Sequence, residues 1–393
     1  MKHYKYLIIG GGLAGDAATR GIRELDADGS IGVISMEPDP PYMRPNLSKG
    51  LWKGRPVEKI WRKTEERAEL HLNRKAAQLD PQKKHVRDDG GDEYTYDKLL
   101  IATGGSPNHL PLGNGNIIYY RNFQDYKHLR DMTEHGNHFV VIGGSFIGSE
   151  IAAALTIVGK KVTMIFLEDA ISDHIFPSDL AHFLNDFYRQ KGVEVLTNES
   201  AASVQQDGSR FTVRTGSGRA IEADGVVAGI GIHANLDLAK EAGLKVENGV
   251  VVNEQLETSI PDIYAAGDAA NFFHSALEKR TRVEHEDNAV AMGKLAGRNM
   301  AGASDAYTRV PMFYSDLFDL GYEAVGEMSS KMKTISDWQE EPFKKGVVYY
   351  LDDDRVRGVL LWNVWKQVDN ARALLMEKGP FKEEDLKGRI KGE

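Results

Sequence analysis

The residue patterns with the most chemical content are two glycine-rich loops. Tyr6–Ile9 reads as a buried strand running into Gly10, Gly11, Gly12, Leu13, Ala14 and Gly15, followed by an alanine-rich helix. In the order Gly10-x-Gly12-x-x-Gly15, the first glycine allows a tight turn after the strand. The second lets a pyrophosphate approach the backbone, and the third lets helix and strand pack closely. Unpaired N–H groups at the helix start then face the phosphates. Glu37 ends the next strand, 22 residues after Gly15, where it can accept hydrogen bonds from ribose hydroxyls.

The same unit recurs about 130 residues later. Phe139–Ile142 leads into Gly143, Gly144, Ser145, Phe146, Ile147 and Gly148, and Glu168 follows Gly148 by 20 residues. Ser145 replaces the middle glycine and allows close approach less freely. A carboxylate at Glu168 favours NAD over NADP, because a 2′-phosphate would meet like charge and no arginine follows within Asp169–Ile175.

These loops need strands and helices in alternation to hold them, and the chain shows that α/β pattern. At 393 residues it has room for two or three domains. Glycine-rich breaks at Gly104–Gly105, Gly113–Gly115 and Gly229–Gly231 are expected where the chain crosses between domains. Beyond Ala301–Ser304 aromatic residues become frequent, and Val347–Leu351 with Val356–Trp362 flanks Asp352–Asp354 as a β-hairpin would. The expected division is residues 1–107 with 233–305, residues 108–232, and a small α+β domain over 306–393.

Composition narrows the chemistry. There is no cysteine, so thiolate, disulfide and persulfide mechanisms are excluded and redox work falls to a bound cofactor. No His or acidic cluster has metal-ligand spacing. The net charge is −9, which argues against a nucleic-acid surface. No stretch is apolar enough for a membrane span, and the polar run Phe381–Glu393 argues against a terminal anchor. A soluble, cytoplasmic protein is the default.

Three segments carry a family resemblance. Pro41-Tyr42-Met43-Arg44-Pro45-Asn46-Leu47-Ser48-Lys49 resembles the flavin-side segment of ferredoxin reductases and apoptosis-inducing factor. Asp97-Lys98-Leu99-Leu100-Ile101-Ala102-Thr103-Gly104 resembles a motif of the wider FAD-dependent pyridine-nucleotide reductases. Thr258-Ser259-x-Pro261-x-Ile263-Tyr264-Ala265-Ala266-Gly267-Asp268 is similar to their second flavin motif. The implied fold is glutathione-reductase-like: two Rossmann-like nucleotide-binding domains plus the small C-terminal domain.

The resemblance implies FAD at the first loop and NADH at the second. It implies that Asp268 holds the ribityl chain, that Arg44 and Arg121 contact the FAD pyrophosphate or adenine side, and that Ala76 gives adenine a backbone contact. For Arg121 a helix N-terminal region is the plain alternative. Glu284 and His285 open a helix aimed at the flavin's pyrimidine edge, and Gly231 passes under the second nucleotide or makes an ordinary interdomain turn. Lys49 and Glu150 are implied as the pair beside the reactive edge of the flavin. Arg282-Val283-Glu284-His285, Phe313-Tyr314-Ser315-Asp316, Gly321-Tyr322-Glu323-Ala324-Val325-Gly326 and Leu361-Trp362-Asn363 are similar to the apoptosis-inducing-factor branch. That branch implies Tyr314, Glu323 and Asn363 around the nicotinamide, although Tyr314 and Trp362 also suit a core.

The leading expectation is electron flow from NADH through FAD to a soluble acceptor such as a ferredoxin- or rubredoxin-type carrier or a quinone. The alternative is a redox-switched binding protein with a stable flavin–nicotinamide complex that forms a homodimer when NADH binds. There is no mitochondrial transit pattern, and Ser329–Val347 leaves little room for the long insertion of the animal proteins. Cell-death signalling and DNA binding are therefore not implied.

Overall fold

The computed structural model describes residues 1–113 and 115–392. They form two compact units: 1–44, 56–106 and 233–312 make the first, and 45–55, 107–232 and 313–393 the second. The chain changes unit beside Gly104–Gly105 and beside Gly229–Gly231, whereas Gly113 and Gly115 lie inside the second unit and Asn114 lies outside the described residues. Residues 313–393 group with 107–232, and the short segment 45–55 joins them there.

The first unit is built on a seven-stranded sheet. The strands Glu69–His71, Ile31–Ile34, Lys2–Ile9 and Glu93–Ile101 lie side by side and parallel, with Ile263–Ala265 added against Glu93–Ile101. Leu7, Ile8 and Val33 are fully buried, as expected of strands covered on both faces. Helix Leu13–Arg23 follows the first loop, and helix Glu286–Met300 packs against it through small residues. A Cβ on Gly293 would strike the Ala14 carbonyl oxygen, one on Gly297 the Ala18 oxygen, and one on Gly21 the Lys294 oxygen. Ala14 opposite Gly293 and Ala18 opposite Gly297 means the two helices run in the same direction.

The second unit repeats the design. Its parallel sheet has the order Glu194–Leu196, Lys161–Ile165, His138–Ile142, Gly225–Ala228, Ile118–Tyr119, with helix Phe146–Ile157 after the second loop. A five-stranded sheet follows, in the order Met312–Leu317, Leu320–Gly326, Arg355–Trp362, Gly346–Asp352, Lys333–Trp338. The expected hairpin is Gly346–Asp352 paired antiparallel with Arg355–Trp362, and Asp352 faces Arg355. Asp353 and Asp354 both take positive φ, 50° and 54°, which matches the right-handed twist of a two-residue hairpin. The polar run from Phe381 buries Phe381, Leu386 and Ile390, while Glu393 lies outside the described residues.

Candidate functional site: two nucleotide cradles and a buried ion pair

The two loops share one geometry. A Cβ on Gly10, at φ 120°, would collide with the Ala102 carbonyl, and one on Gly15 with the Gly10 carbonyl. A Cβ on Gly12 would meet nothing within 4 Å. In the second copy Gly143, at φ 112°, would strike the Gly229 carbonyl and Gly148 the Gly143 carbonyl. The outer glycines are thus required by the fold in both loops, and in the first the middle position faces open space where a phosphate would lie.

Ser145 explains itself on the same terms. Gly12 has φ −86° and Ser145 has φ −96°, both ordinary for any residue. The loop therefore asks for space at this position, not for glycine's conformational freedom. Each residue is the N-cap of the helix that follows, and neither offers a side-chain cap. The first-turn N–H groups stay available to an anion. Leu13 and Ala14 are buried in the first turn of one helix, and Phe146 packs edge-on against Phe313 at 5.5 Å in the other, beside the exposed Ile147.

The residues assigned to FAD by resemblance fall mostly in the first unit: Gly10, Gly12, Gly15, Glu37, Arg44, Ala76, Asp268, Glu284 and His285. Arg44 Nη2 donates to Glu37 Oε1 at 2.5 Å, and the Tyr42 hydroxyl donates to Glu37 Oε2 at 2.6 Å. Ala76 is buried at the start of the strand Ala76–Asp80. Asp268 sits in a one-turn 3₁₀ helix, Gly267–Ala269, whose carbonyl at Asp268 accepts from Arg282 Nη1 at 3.1 Å. Glu284 pairs with Arg282 at 2.5 Å. His285 is the N-cap of Glu286–Met300, and burial pushes its imidazole down to about 4 against the opposing pull of Asp268 and Asp287. His285 is half-buried.

Lys49, Glu150 and Arg121 belong to the second unit, as does the whole NADH set. Arg121 immediately precedes Asn122, the N-cap of helix Phe123–His135, and its N–H donates to Asp125 Oδ2 at 2.9 Å. Glu168 is exposed three residues past a strand end, where its carbonyl accepts from the Asn198 N–H at 3.0 Å. Gly231, at φ 87°, needs to be glycine, and its carbonyl accepts from the Asn108 N–H at 3.0 Å. Glu323 lies on the strand Leu320–Gly326 with a buried Oε2 that has no hydrogen-bond partner among the described residues. Burial raises its carboxyl pKa, opposed by the Lys366 N–H and Arg372. The Asn363 amide is held by backbone, accepting from the Gly321 N–H at 2.8 Å and donating to the Lys344 carbonyl at 2.7 Å.

The densest chemistry surrounds Glu150, which is 4% exposed on helix Phe146–Ile157. Lys49 Nζ lies 2.7 Å from Glu150 Oε2, with its ammonium 5.3 Å from the centre of the Tyr314 ring. Two further donors reach the same carboxylate: Ser48 Oγ to Oε2 at 2.5 Å and Ser315 Oγ to Oε1 at 2.6 Å. The turn bearing Ser48 and Lys49 is anchored at Leu47, whose carbonyl accepts from Trp52 Nε1 at 2.7 Å and the Tyr120 hydroxyl at 2.5 Å. Sequence reasoning passed over Ser48, Ser315 and Tyr42 although each stands in a segment that carried the resemblance. Their partners lie 102, 165 and 5 residues away, and no local spacing marks the first two.

Among the described residues no helix is long and apolar enough to cross a membrane. Residues 4–293 match the pyridine nucleotide-disulphide oxidoreductase family, and residues 296–341 and 336–377 match the C-terminal, mitochondrion-associated family of apoptosis-inducing factor. The chain is 33% identical to apoptosis-inducing factor 1, mitochondrial, of Dictyostelium discoideum, over 96% of this chain and 79% of that one. It is 34% identical to the ferredoxin reductase subunit of 5,5'-dehydrodivanillate O-demethylase of Sphingobium, over 83% and 82%. Putidaredoxin reductase, solved as a covalent complex with putidaredoxin, superposes with a TM-score of 0.89 at 27% identity, covering 98% of this chain and 95% of that one. With two glycine-loop cradles built alike and a match spanning most of its length, the chain belongs to the pyridine nucleotide-disulphide oxidoreductase family.

Proposed function

We propose that this protein is an NADH-dependent FAD oxidoreductase that passes electrons to a soluble carrier of the ferredoxin or rubredoxin type. The observation that carries this reading is the repeated cradle: in both copies the outer glycines lie against backbone carbonyls, and in the first a Cβ at the middle position would meet nothing within 4 Å. A bound FAD supplies the carrier chemistry between a two-electron donor and the acceptor, a role no side chain of a cysteine-free protein fills. The residues present fit it: Gly12 leaves room for a pyrophosphate, with Arg44 and the first-turn amides as its donors. Glu37 serves the ribose, Ala76 the adenine, Asp268 the ribityl chain, and Glu284 and His285 the pyrimidine edge, with Arg121 an additional phosphate contact.

For the second nucleotide, Gly143, Gly144, Ser145, Phe146, Ile147 and Gly148 take the pyrophosphate, Glu168 the adenosine ribose, and Gly231 the underside. Tyr314, Glu323 and Asn363 surround the nicotinamide, Asn363 through the backbone it holds in place. Lys49 and Glu150 set the charge beside the reacting rings. The domain division of residues 306–393 from 108–232 and a cytoplasmic setting belong to the same reading. Relatives named as ferredoxin and rubredoxin reductases support the choice of acceptor. Anaerobic addition of NADH should bleach the flavin, and a ferredoxin or rubredoxin should restore its colour rapidly. If no small iron carrier reoxidises it faster than buffer does, the acceptor assignment is wrong.

The match of the C-terminal segment to apoptosis-inducing factor favours one second reading, a redox-switched binding protein. It expects slow reoxidation and dimerisation on NADH, which sedimentation with and without NADH distinguishes from the first.

A further inference from the structure

Resting on the reading of Lys49 and Glu150 above, we propose that Ser315 and Ser48 are positioning residues that hold the Lys49 ammonium through Glu150. The strand Met312–Leu317 thereby helps fix where that ammonium stands. An ionised carboxylate can only accept hydrogen bonds, and a buried one is stable only when its oxygens are supplied with donors. Glu150 meets that demand from three directions. Lys49 Nζ and Ser48 Oγ share Oε2, and Ser315 Oγ serves Oε1 at 2.6 Å. Among the described residues, Ser315 is the hydrogen-bond donor to Oε1.

Pinning both oxygens fixes the plane of the carboxylate, and so the point at which Lys49 can dock. Without Ser315 the carboxylate can turn about its last bond, and its Oε1 lacks a donor. The neighbouring Tyr314 ring lies 5.3 Å from Lys49 Nζ, so two consecutive residues of one strand act on the lysine, one directly and one through Glu150. Tyr322 extends the chain. Burial and Glu150 push its phenol pKa well up while Ser315 lowers it, so Tyr322 stays protonated beside Ser315. Ser48 acts from the opposite side, on the same turn as Lys49.

The test uses the FAD-loaded protein carrying Ser315→Ala, Ser315→Thr or Ser48→Ala, each alone and combined with Lys49→Met. Three quantities are read: the flavin midpoint potential, the rate of flavin reduction by NADH, and the rate at which an amine-acylating reagent labels Lys49, mapped by mass spectrometry without NADH. Loss of one bond to a charged group predicts about a tenfold slower reduction and faster Lys49 labelling in Ser315→Ala, with Ser315→Thr restoring both. Ser48→Ala should act in the same direction, and it serves as the probe if Ser315→Ala does not fold. In the Lys49→Met background neither serine change should alter rate or potential further.

Wild-type labelling and potential in both serine variants would overturn the proposal, as would an undiminished serine effect after Lys49→Met. Normal rate and potential in Lys49→Met alone, with labelling still raised in Ser315→Ala, would instead remove the lysine from the flavin reaction and uphold the positioning.

Discussion

Arg44 and Glu37 are bonded to each other, Nη2 to Oε1 at 2.5 Å, and Tyr42 closes the triangle by donating to Glu37 Oε2 at 2.6 Å and accepting from Arg44 Nη1 at 2.9 Å. Each member holds the other two in place before any nucleotide arrives, which lowers the ordering cost of binding. Arg44→Ala should weaken FAD retention by about tenfold to a hundredfold, the scale of one charge-assisted hydrogen bond. Tyr42→Phe should cost less. Release of flavin fluorescence on dilution measures both, and wild-type retention in Arg44→Ala would take the arginine out of the site.

The loop glycines separate fold from ligand. Gly12→Ala places a methyl in free space and should leave the protein folded with FAD affinity lowered. Gly15→Ala drives a methyl into the Gly10 carbonyl and should lower stability by about 1–3 kcal/mol. Urea unfolding of the two variants, beside their flavin content, checks the distinction. Equal loss of stability in both would mean the middle position is structural too.

Glu168 is exposed where a ribose hydroxyl or a 2′-phosphate would be read. Glu168→Gln removes the like-charge repulsion and should cut the preference for NADH over NADPH by about tenfold, corresponding to ~1.4 kcal/mol. The ratio of kcat/KM for the two nucleotides reports it. An unchanged ratio would move the discrimination elsewhere.

Two histidines should bend the pH–stability curve in opposite directions. His285 is pushed down to about 4 from 6.5, so its contribution is complete above 6.5 and is lost as pH falls toward 4. His182 is raised because its ring meets the Ser178 carbonyl at 2.7 Å and Asp169 Oδ2 at 2.8 Å. Its contribution is complete below 6.5 and is lost as pH rises through its raised value. His285→Gln should therefore lessen the loss of stability on the acid side, and His182→Gln a smaller loss on the alkaline side, since His182 is exposed. Urea midpoints across pH measure both. The same acid slope in His285→Gln as in the wild type would contradict its lowered pKa.

The glycine loops were legible because their function is written in consecutive residues: strand, turn and helix start follow one another, and the structure places them so. The hairpin at Asp352–Asp354 was legible for the same reason. What escaped was the company of Glu150. Ser48 and Ser315 are ordinary polar residues in the chain, and they meet only because a turn, a helix and a strand converge on one carboxylate. The grouping of residues 45–55 with the second unit was equally hidden, since it rests on partners far along the chain, the Tyr120 hydroxyl at Leu47 and Glu150 at Ser48 and Lys49.

The glycine seam between Leu13–Arg23 and Glu286–Met300 has a consequence for how the protein is made. The first cradle leaves the ribosome well before the helix that packs against it through Gly293 and Gly297, which is translated some 270 residues later. At ~5–20 residues per second the ribosome leaves that face uncovered for tens of seconds. A nascent chain halted before residue 286 should therefore expose the Ala14–Ala18 surface to chaperones, and retain FAD only after the second helix has left the tunnel.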